Sequence, residues 1–495
     1  MIRIALTLAA ALWATAATAQ TVRVRVEGGI VAGAAGVSAN IFRNIPFAAA
    51  PVDDLRWAPP KAVRSWRGER DATKNGPSCP QPMLPGDLPN SGGANGPVSE
   101  DCLQLNVFAP PGATKAPVMV WIHGGGHRTG AGWVYDGTNF ARDGVVVVSI
   151  NYRLGALGYF AHPALTKGGQ PTGNFGLMDQ VAALKWVKRN IKAFGGDPAN
   201  VTVFGTSAGG VSTLALLATP SAKGLYQKAI VQSGLGWFRP ASLAEKEKAG
   251  AAALAKLGVA ETAKAKDLRT IPVEQLVPLN GDYGPFTDGK VMTETASQAL
   301  VRGTFADVPL IIGANSGEDS LMGPGPLPAA QLAMITPADR VVYRQDAAKG
   351  EEAVARAIFR DRLMIGPARW VAAQASAGQR AWLYHFSYVG SRFRPAITTA
   401  AHAAEIQYVW EYWGRRTPMS LVSDEDRAMA SLMHACWVAF AKSGAPACGR
   451  NAWPAYDPRD DQLMEFGAVS GLRGQFRKSQ LDVQEAAVLP TLELR

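Results

Sequence analysis

Three kinds of residue in this 495-residue chain could together carry nucleophilic chemistry: a serine on a glycine-flanked turn, one of six histidines, and a carboxylate closing an apolar run. The serine is Ser207, in Asn200-Val-Thr-Val-Phe-Gly-Thr-Ser-Ala-Gly-Gly210. A β-branched strand there enters Gly-x-Ser-x-Gly and passes straight into helix-forming sequence. Gly205 and Gly209 lack a Cβ, so the backbone can turn sharply and lift the serine into an open site. With 52 glycines in the chain the five-residue pattern alone carries little weight, and its context decides.

A serine needs a base to become a nucleophile. The histidines are His123, His127, His162, His385, His402 and His434. In the order expected after a strand-to-helix nucleophile, the acid and then the histidine follow it in the chain. His385 falls in a strand pattern and His434 inside a helical run. His402 lies in the small-residue stretch Thr399-Ala-Ala-His-Ala-Ala-Glu405, where a loop would let the imidazole reach the serine, so it is the expected base. The acid should stand at a strand end: Ile312-Gly-Ala-Asn-Ser-Gly-Glu-Asp319 offers Glu318, with Asp319 as the alternative. Acyl transfer also needs donors aimed at the developing oxyanion. In Ile122-His-Gly-Gly-Gly-His127 the N–H groups of Gly125 and Gly126 can approach a substrate unobstructed, and Ala208 N–H completes the set.

The surrounding pattern supplies the frame. Val118-Met-Val-Trp-Ile122 and Val145-Val-Val-Val-Ser-Ile150 are continuous apolar runs, the mark of strands buried on both faces. Residues Met178 to Phe194 have apolar positions at helical spacing and end at Gly195-Gly196, and Val211 to Ala218 is apolar nearly all round, predicting an internal helix. Further strands are expected at Ala229 to Val231, Val308 to Ile312 and Trp382 to Phe386. Strands alternating with helices imply an α/β fold with a mostly parallel central sheet, helices on both faces, and helical insertions at roughly 240–300 and 320–380 over its carboxyl edge. Thr21 to Val26 alternates apolar and charged residues and turns back at Glu27-Gly-Gly29 into Ile30-Val31, a hairpin. Residues 51–98 read as ordered Pro/Gly-rich loops.

Residues 1–19 carry one early positive charge, a short apolar stretch and Ala17-Thr-Ala19, the pattern of a cleaved leader, which predicts a mature chain of 20–495 exported to a periplasmic or extracellular space. There disulfides persist. Cys79 to Cys102 would pin the Pro/Gly-rich loop; Cys436 either bridges Cys448 or is a buried free thiol. The net charge of +10 is scattered, with Lys185, Lys188, Arg189 and Lys192 on the polar face of one helix, so no nucleic-acid partner is expected, and no membrane contact once the leader is gone.

Taken together, Phe42-Arg-Asn-Ile-Pro46, Leu55-Arg-Trp57, Ser99-Glu-Asp-Cys-Leu-Gln-Leu-Asn-Val107, His123-Gly-Gly-Gly126, Asn151-Tyr-Arg-Leu154, Gly173-Asn-Phe-Gly-Leu177, Ala193-Phe-Gly-Gly-Asp-Pro-Ala-Asn200 and Gly205-Thr-Ser-Ala-Gly-Gly210 resemble the type B carboxylesterases of the α/β-hydrolase superfamily, nearly along the whole mature chain. The resemblance implies an ester hydrolase with Ser207, Glu318 and His402 as triad, Gly125, Gly126 and Ala208 as oxyanion hole, Ser233 supporting the acid, a Cys79–Cys102 disulfide, a small-molecule ester as substrate, and neither cofactor nor metal. An inactive binding protein of the same fold, or a hydrolase of amide, carbamate or thioester bonds, are the alternatives. Two positions depart from the family: Thr206 stands where many relatives carry Glu, which speaks against cationic choline esters, and His127 replaces an aromatic. With Trp237 and Phe238 these are expected at the substrate pocket, and they motivate an expectation of polar or anionic esters.

Overall fold

The computed structural model describes residues 20–494 apart from 87, 168, 170–172, 238, 240, 395 and 414–416. The leader expected at 1–19 and the pocket residue Phe238 therefore lie outside the described residues.

One sheet organises the chain. Its N-terminal strands β1 (Thr21–Val26), β2 (Gly29–Ala34), β3 (Asn40–Pro46) and β5 (Gln104–Ala109) run antiparallel, with β4 (Glu69–Asp71) beside β2. The alternation of Thr21 to Val26 becomes the expected hairpin, with Val24 opposite Val31. The centre is parallel: β6 (Ala116–Ile122), β7 (Val146–Ile150), β8 (Gly196–Thr206), β9 (Lys228–Gln232), β10 (Leu310–Asn315), β11 (Ala381–Phe386) and β12 (Gln462–Phe466), ordered 7-6-8-9-10-11-12. Antiparallel β13 (Gly471–Gly474) closes the far edge.

Both faces are covered, which is why the central strands read as unbroken apolar runs. Val118, Val120 and Ile122 of β6 face one core with Leu184, Leu214 and Val371. Met119 and Trp121 face the other, with Met433 and Trp437. The period of two thus splits a single apolar run between two cores. The helices that supply these contacts are α1 (Phe175–Asn190), α2 (Ala208–Leu217), α5 (Gly366–Ala375) and α6 (Asp424–Ser443). After α1 a tighter turn, Ile191–Phe194, ends on Gly195 at φ 82°, a left-handed cap that favours glycine. Two further helices belong to the insertions: α3 (Leu243–Ala255), started by a capping box between Ser242 and Glu245, lies between β9 and β10, and α4 (Glu351–Arg360) joins α5 through a π-helical turn after β10.

The strand register brings the chemistry-bearing ends together. Ile122 pairs with Gly205, Gly205 with Val231, and Val231 with Ile312. The segments leaving β6, β8, β9 and β10 therefore emerge side by side on the carboxyl edge, where ligands of parallel sheets bind. Disulfides join Cys79 to Cys102 and Cys436 to Cys448, across Cα separations of 5.0 and 4.8 Å. Cys436 is thus bridged, and the free-thiol alternative falls. Lys185, Lys188, Arg189 and Lys192 are all exposed on α1 and its extension, and Arg189 pairs with Glu27 at 2.7 Å. Among the described residues no helix is long and apolar enough to cross a membrane.

Candidate active site

Ser207 stands between β8 and α2 with φ 55° and ψ −126°, a left-handed conformation that costs a serine energy. Its two glycine neighbours serve a different need. Neither has a positive φ; rather, a Cβ on Gly209 would lie 2.0 Å from the Ile122 carbonyl oxygen, and one on Gly205 2.6 Å from the Gly209 backbone. The helix can follow the strand only by pressing its first turn onto β6. Ser207 N–H donates to the Gln232 carbonyl at 2.9 Å and pins the turn to β9.

His402 lies on a turn after β11, and its Nδ1 meets Glu318 Oε2. Of the two acids foreseen at this strand end it is Glu318, not Asp319, that meets the histidine. Glu318 is fully buried, and its other oxygen accepts from Ser233 Oγ at 2.6 Å and from Asn315 N–H at 2.8 Å. A carboxylate held by three donors has one orientation left. The loops are tied by backbone as well: Gly317 N–H donates to the Ala400 carbonyl at 2.7 Å, and His402 N–H to Ser320 Oγ at 2.9 Å.

The glycine run leaves β6 and lies against the elbow, since a Cβ on Gly124 would come 2.8 Å from the Thr206 carbonyl oxygen and 3.1 Å from Ser207 Cβ. Gly125, Gly126 and His127 then take φ of 103°, 63° and 54°. Three successive left-handed residues curl the loop, held by Thr129 N–H donating to the Gly125 carbonyl at 3.0 Å. Among the described residues the N–H groups of Gly125 and Gly126 donate to no backbone carbonyl.

A cavity of about 280 Å³ opens over this edge, and Ser207, Ala208, Gly126 and His127 line it together with Val211 and Leu235. His127 thus reaches the expected pocket, though as a fixed, neutral group. Its Nε2 lies 3.0 Å from Ser212 Oγ, the ring packs on Tyr159, and burial pushes its pKa down to about 3.

Thr206 and Trp237 are placed elsewhere. Thr206 is buried, and its hydroxyl donates to Glu405 Oε1 at 2.9 Å, beneath the elbow rather than into the cavity. Glu405 also accepts from Gln232 Nε2 at 2.8 Å and from Asn315 Nδ2 at 2.6 Å. One fully buried carboxyl group thereby ties the residue before Ser207, the ends of β9 and β10, and the segment three residues after His402. Strand alternation explains the placement: adjacent residues at the end of β8 point to opposite faces, so Thr206 turns inward where Ser207 turns out. Trp237 donates its indole N–H to the Arg362 carbonyl at 2.7 Å and packs near Trp370 at a ring separation of 6.4 Å, part of the support behind α5. Sequence reasoning missed Glu405, because a glutamate in a loop carries no local sign of burial. It also missed Lys246, which lines the cavity from α3.

The remaining histidines serve the frame. His123 stacks on Tyr152, and burial pushes it down to about 4; His385, buried in β11, is pushed down to about 3. His434 directs Nδ1 at the Val409 carbonyl at 2.7 Å, and His162 accepts from Ala164 N–H at 3.1 Å.

The sequence matches the carboxylesterase family over residues 16–337 and 329–484. It is 36% identical to the fumonisin B1 esterase of Sphingopyxis macrogoltabida, covering 90% of this chain and 86% of that one. It is 35% identical to the para-nitrobenzyl esterase of Bacillus subtilis, covering 88% and 92%. Among solved structures, a PNB esterase superposes with a TM-score of 0.80 at 33% identity, over 93% of this chain and 99% of the other. With the parallel sheet and the geometry of its carboxyl edge, these likenesses establish that the chain belongs to the type B carboxylesterase family and is a carboxylic-ester hydrolase with the α/β-hydrolase fold.

Proposed function

We propose that this protein is an exported serine esterase that cleaves small-molecule carboxylic esters through an acyl-enzyme. Ser207 Oγ attacks the ester carbonyl while His402 takes its proton. The new oxyanion accepts hydrogen bonds from the N–H groups of Gly125, Gly126 and Ala208. His402 then returns the proton to the departing alkoxide, leaving the acyl group on Ser207. Water, activated by the same imidazole, attacks the acyl-enzyme and releases the acid. Glu318 holds His402 in the useful tautomer and stabilises the imidazolium, and Ser233 holds Glu318. The observation that carries this reading is the pairing of His402 with a fully buried, triply held Glu318 on the same sheet edge that presents Ser207 at φ 55° to an open cavity.

Export is supported by the leader-like residues 1–19 and by two disulfides, which persist in oxidising compartments. Two measurements test the reading. Mixing enzyme with p-nitrophenyl butyrate should release a burst of p-nitrophenol equal to the active sites if deacylation limits, and steady turnover in any case. Undiminished turnover in Ser207→Ala would overturn the assignment. N-terminal sequencing of protein recovered from the periplasm or medium should begin at Gln20.

A further inference from the structure

Lys246 is out of place by ordinary rules. A lysine is seldom buried without a partner, because the ammonium loses its hydration. Here the side chain is only 9% exposed and lines the same cavity as Ser207. Its position is imposed from both sides. The Ser242–Glu245 capping box fixes the start of α3 at Leu243, within the same first turn, and Gly250 presses the helix onto the body so closely that a Cβ there would lie 2.0 Å from the Ala161 carbonyl oxygen.

The charge is poorly matched within the protein. Its carboxylate neighbour, Asp282, stands 3.2 Å away but is 84% exposed, so water screens the pair. Among the described residues its other contacts are the Asp282 carbonyl and the face of Phe286, 5.5 Å from the ammonium. A second cation flanks the same loop. Arg128 follows His127, lies over the Tyr283 ring at 5.5 Å, and reaches Asn280 Oδ1 at 3.3 Å. Among the described residues it has no carboxylate within 4.0 Å. Segment 280–286 is thus bracketed by two cations and carries one exposed anion. His127 lines the same cavity but is held neutral by burial and adds no charge of its own. The residues that first suggested anionic substrates, Thr206 and His127, supply no positive charge to the cavity; Lys246 does.

We infer that Lys246, with Arg128 beside the same loop, forms a carboxylate-binding subsite in the wall of the Ser207 cavity, so that the preferred substrates are esters bearing a free carboxylate. The inference rests on the esterase reading above and names the substrate class of that same site. The substrate's carboxylate accepts from the Lys246 ammonium, displacing the weak Asp282 contact, while its ester carbonyl sits at Ser207.

Two matched pairs test it: mono-p-nitrophenyl adipate against p-nitrophenyl hexanoate, with the charge on the acyl side, and 4-acetoxyphenylacetate against p-tolyl acetate, with the charge on the alcohol side. In at least one pair the anionic member should be favoured in kcat/KM by about tenfold or more, chiefly through KM, as for a charge-assisted hydrogen bond. The preference should shrink as salt rises. Lys246→Met should erase the anionic-to-neutral ratio, Lys246→Arg should retain most of it, and Asp282→Asn should raise it. A wild-type ratio of one or less in both pairs, or a ratio untouched in a folded Lys246→Met protein, overturns the subsite. Hydrolysis of all four esters without charge preference leaves the esterase reading standing, whereas hydrolysis of none of them removes that reading as well.

Discussion

The two regions that meet at the cavity are built on opposite principles. The region of Ser207, His402 and Glu318 grows from strand ends and the loops that follow them, and its buried polar groups are tied into one another: Glu318 to Ser233 and Asn315, Glu405 to Thr206, Gln232 and Asn315. On the other side Lys246 of an inserted helix and Asp282 of a loop after it line the cavity, with Arg128 beside that loop, and these charges are only weakly paired. The difference separates tasks. Transferring an acyl group requires groups held within a fraction of an ångström, which a sheet edge with saturated hydrogen bonds provides. Choosing among esters requires surplus recognition capacity, which an incompletely paired cation provides.

The comparison breaks most visibly where the rigid region is cut. Ser207→Ala should lower kcat/KM on p-nitrophenyl butyrate by at least about 10⁴-fold with an unchanged melting temperature, because it removes the nucleophile and no buried partner. Glu405→Ala should behave differently. It strands three buried donors and should cost about 3 kcal/mol or more in urea unfolding, with a loss of activity that follows the loosened elbow. A Glu405→Ala protein as stable as wild type would mean that this network does not anchor the elbow.

Acid sharpens the contrast further. His123, His127 and His385 are held neutral by burial, at about 4, 3 and 3, below the ordinary 6.5 of an unfolded histidine. Protons therefore bind the unfolded chain first. Stability should be intact above pH 6.5 and fall as pH drops toward 4, by about 1.4 kcal/mol per pH unit for each histidine. His127→Phe should flatten that slope by one histidine's share in equilibrium unfolding. The smallest effect belongs to the flanking cation: Arg128→Ala should lower the anionic-to-neutral ratio by about two- to threefold and weaken its salt dependence, since a half-exposed cation outside the cavity lining steers more than it binds.

Much of the rigid region is legible in residue order. Ser207, Glu318 and His402 each sit beside a recognisable element, and the apolar runs of β6, β7 and β8 announce a sheet covered on both faces. The edges are less legible. β4 lies in a stretch that reads as loop, while β12, β13 and the C-terminal helix Lys478–Val488 carry short or mixed patterns whose partners are far away in the chain. Trp237 and Thr206 illustrate the same limit at single residues. Proximity in sequence to Ser233 and Ser207 suggested a pocket, yet the side chains turn to Arg362 and Glu405.

Sequence by itself determined the local chemistry: which serine can sit on a turn that only small neighbours allow, which glycines can curl a donor loop, and which strands must be buried on both sides. Those properties depend on residues within a few positions of one another, so spacing encodes them. Only the tertiary structure decided which way Thr206 faces, that Glu405 is the buried tie between four segments, and that Lys246 of a distant helix shares a cavity with Ser207. These depend on strand register and on packing between segments tens to hundreds of residues apart, and no short-range pattern in the chain specifies them.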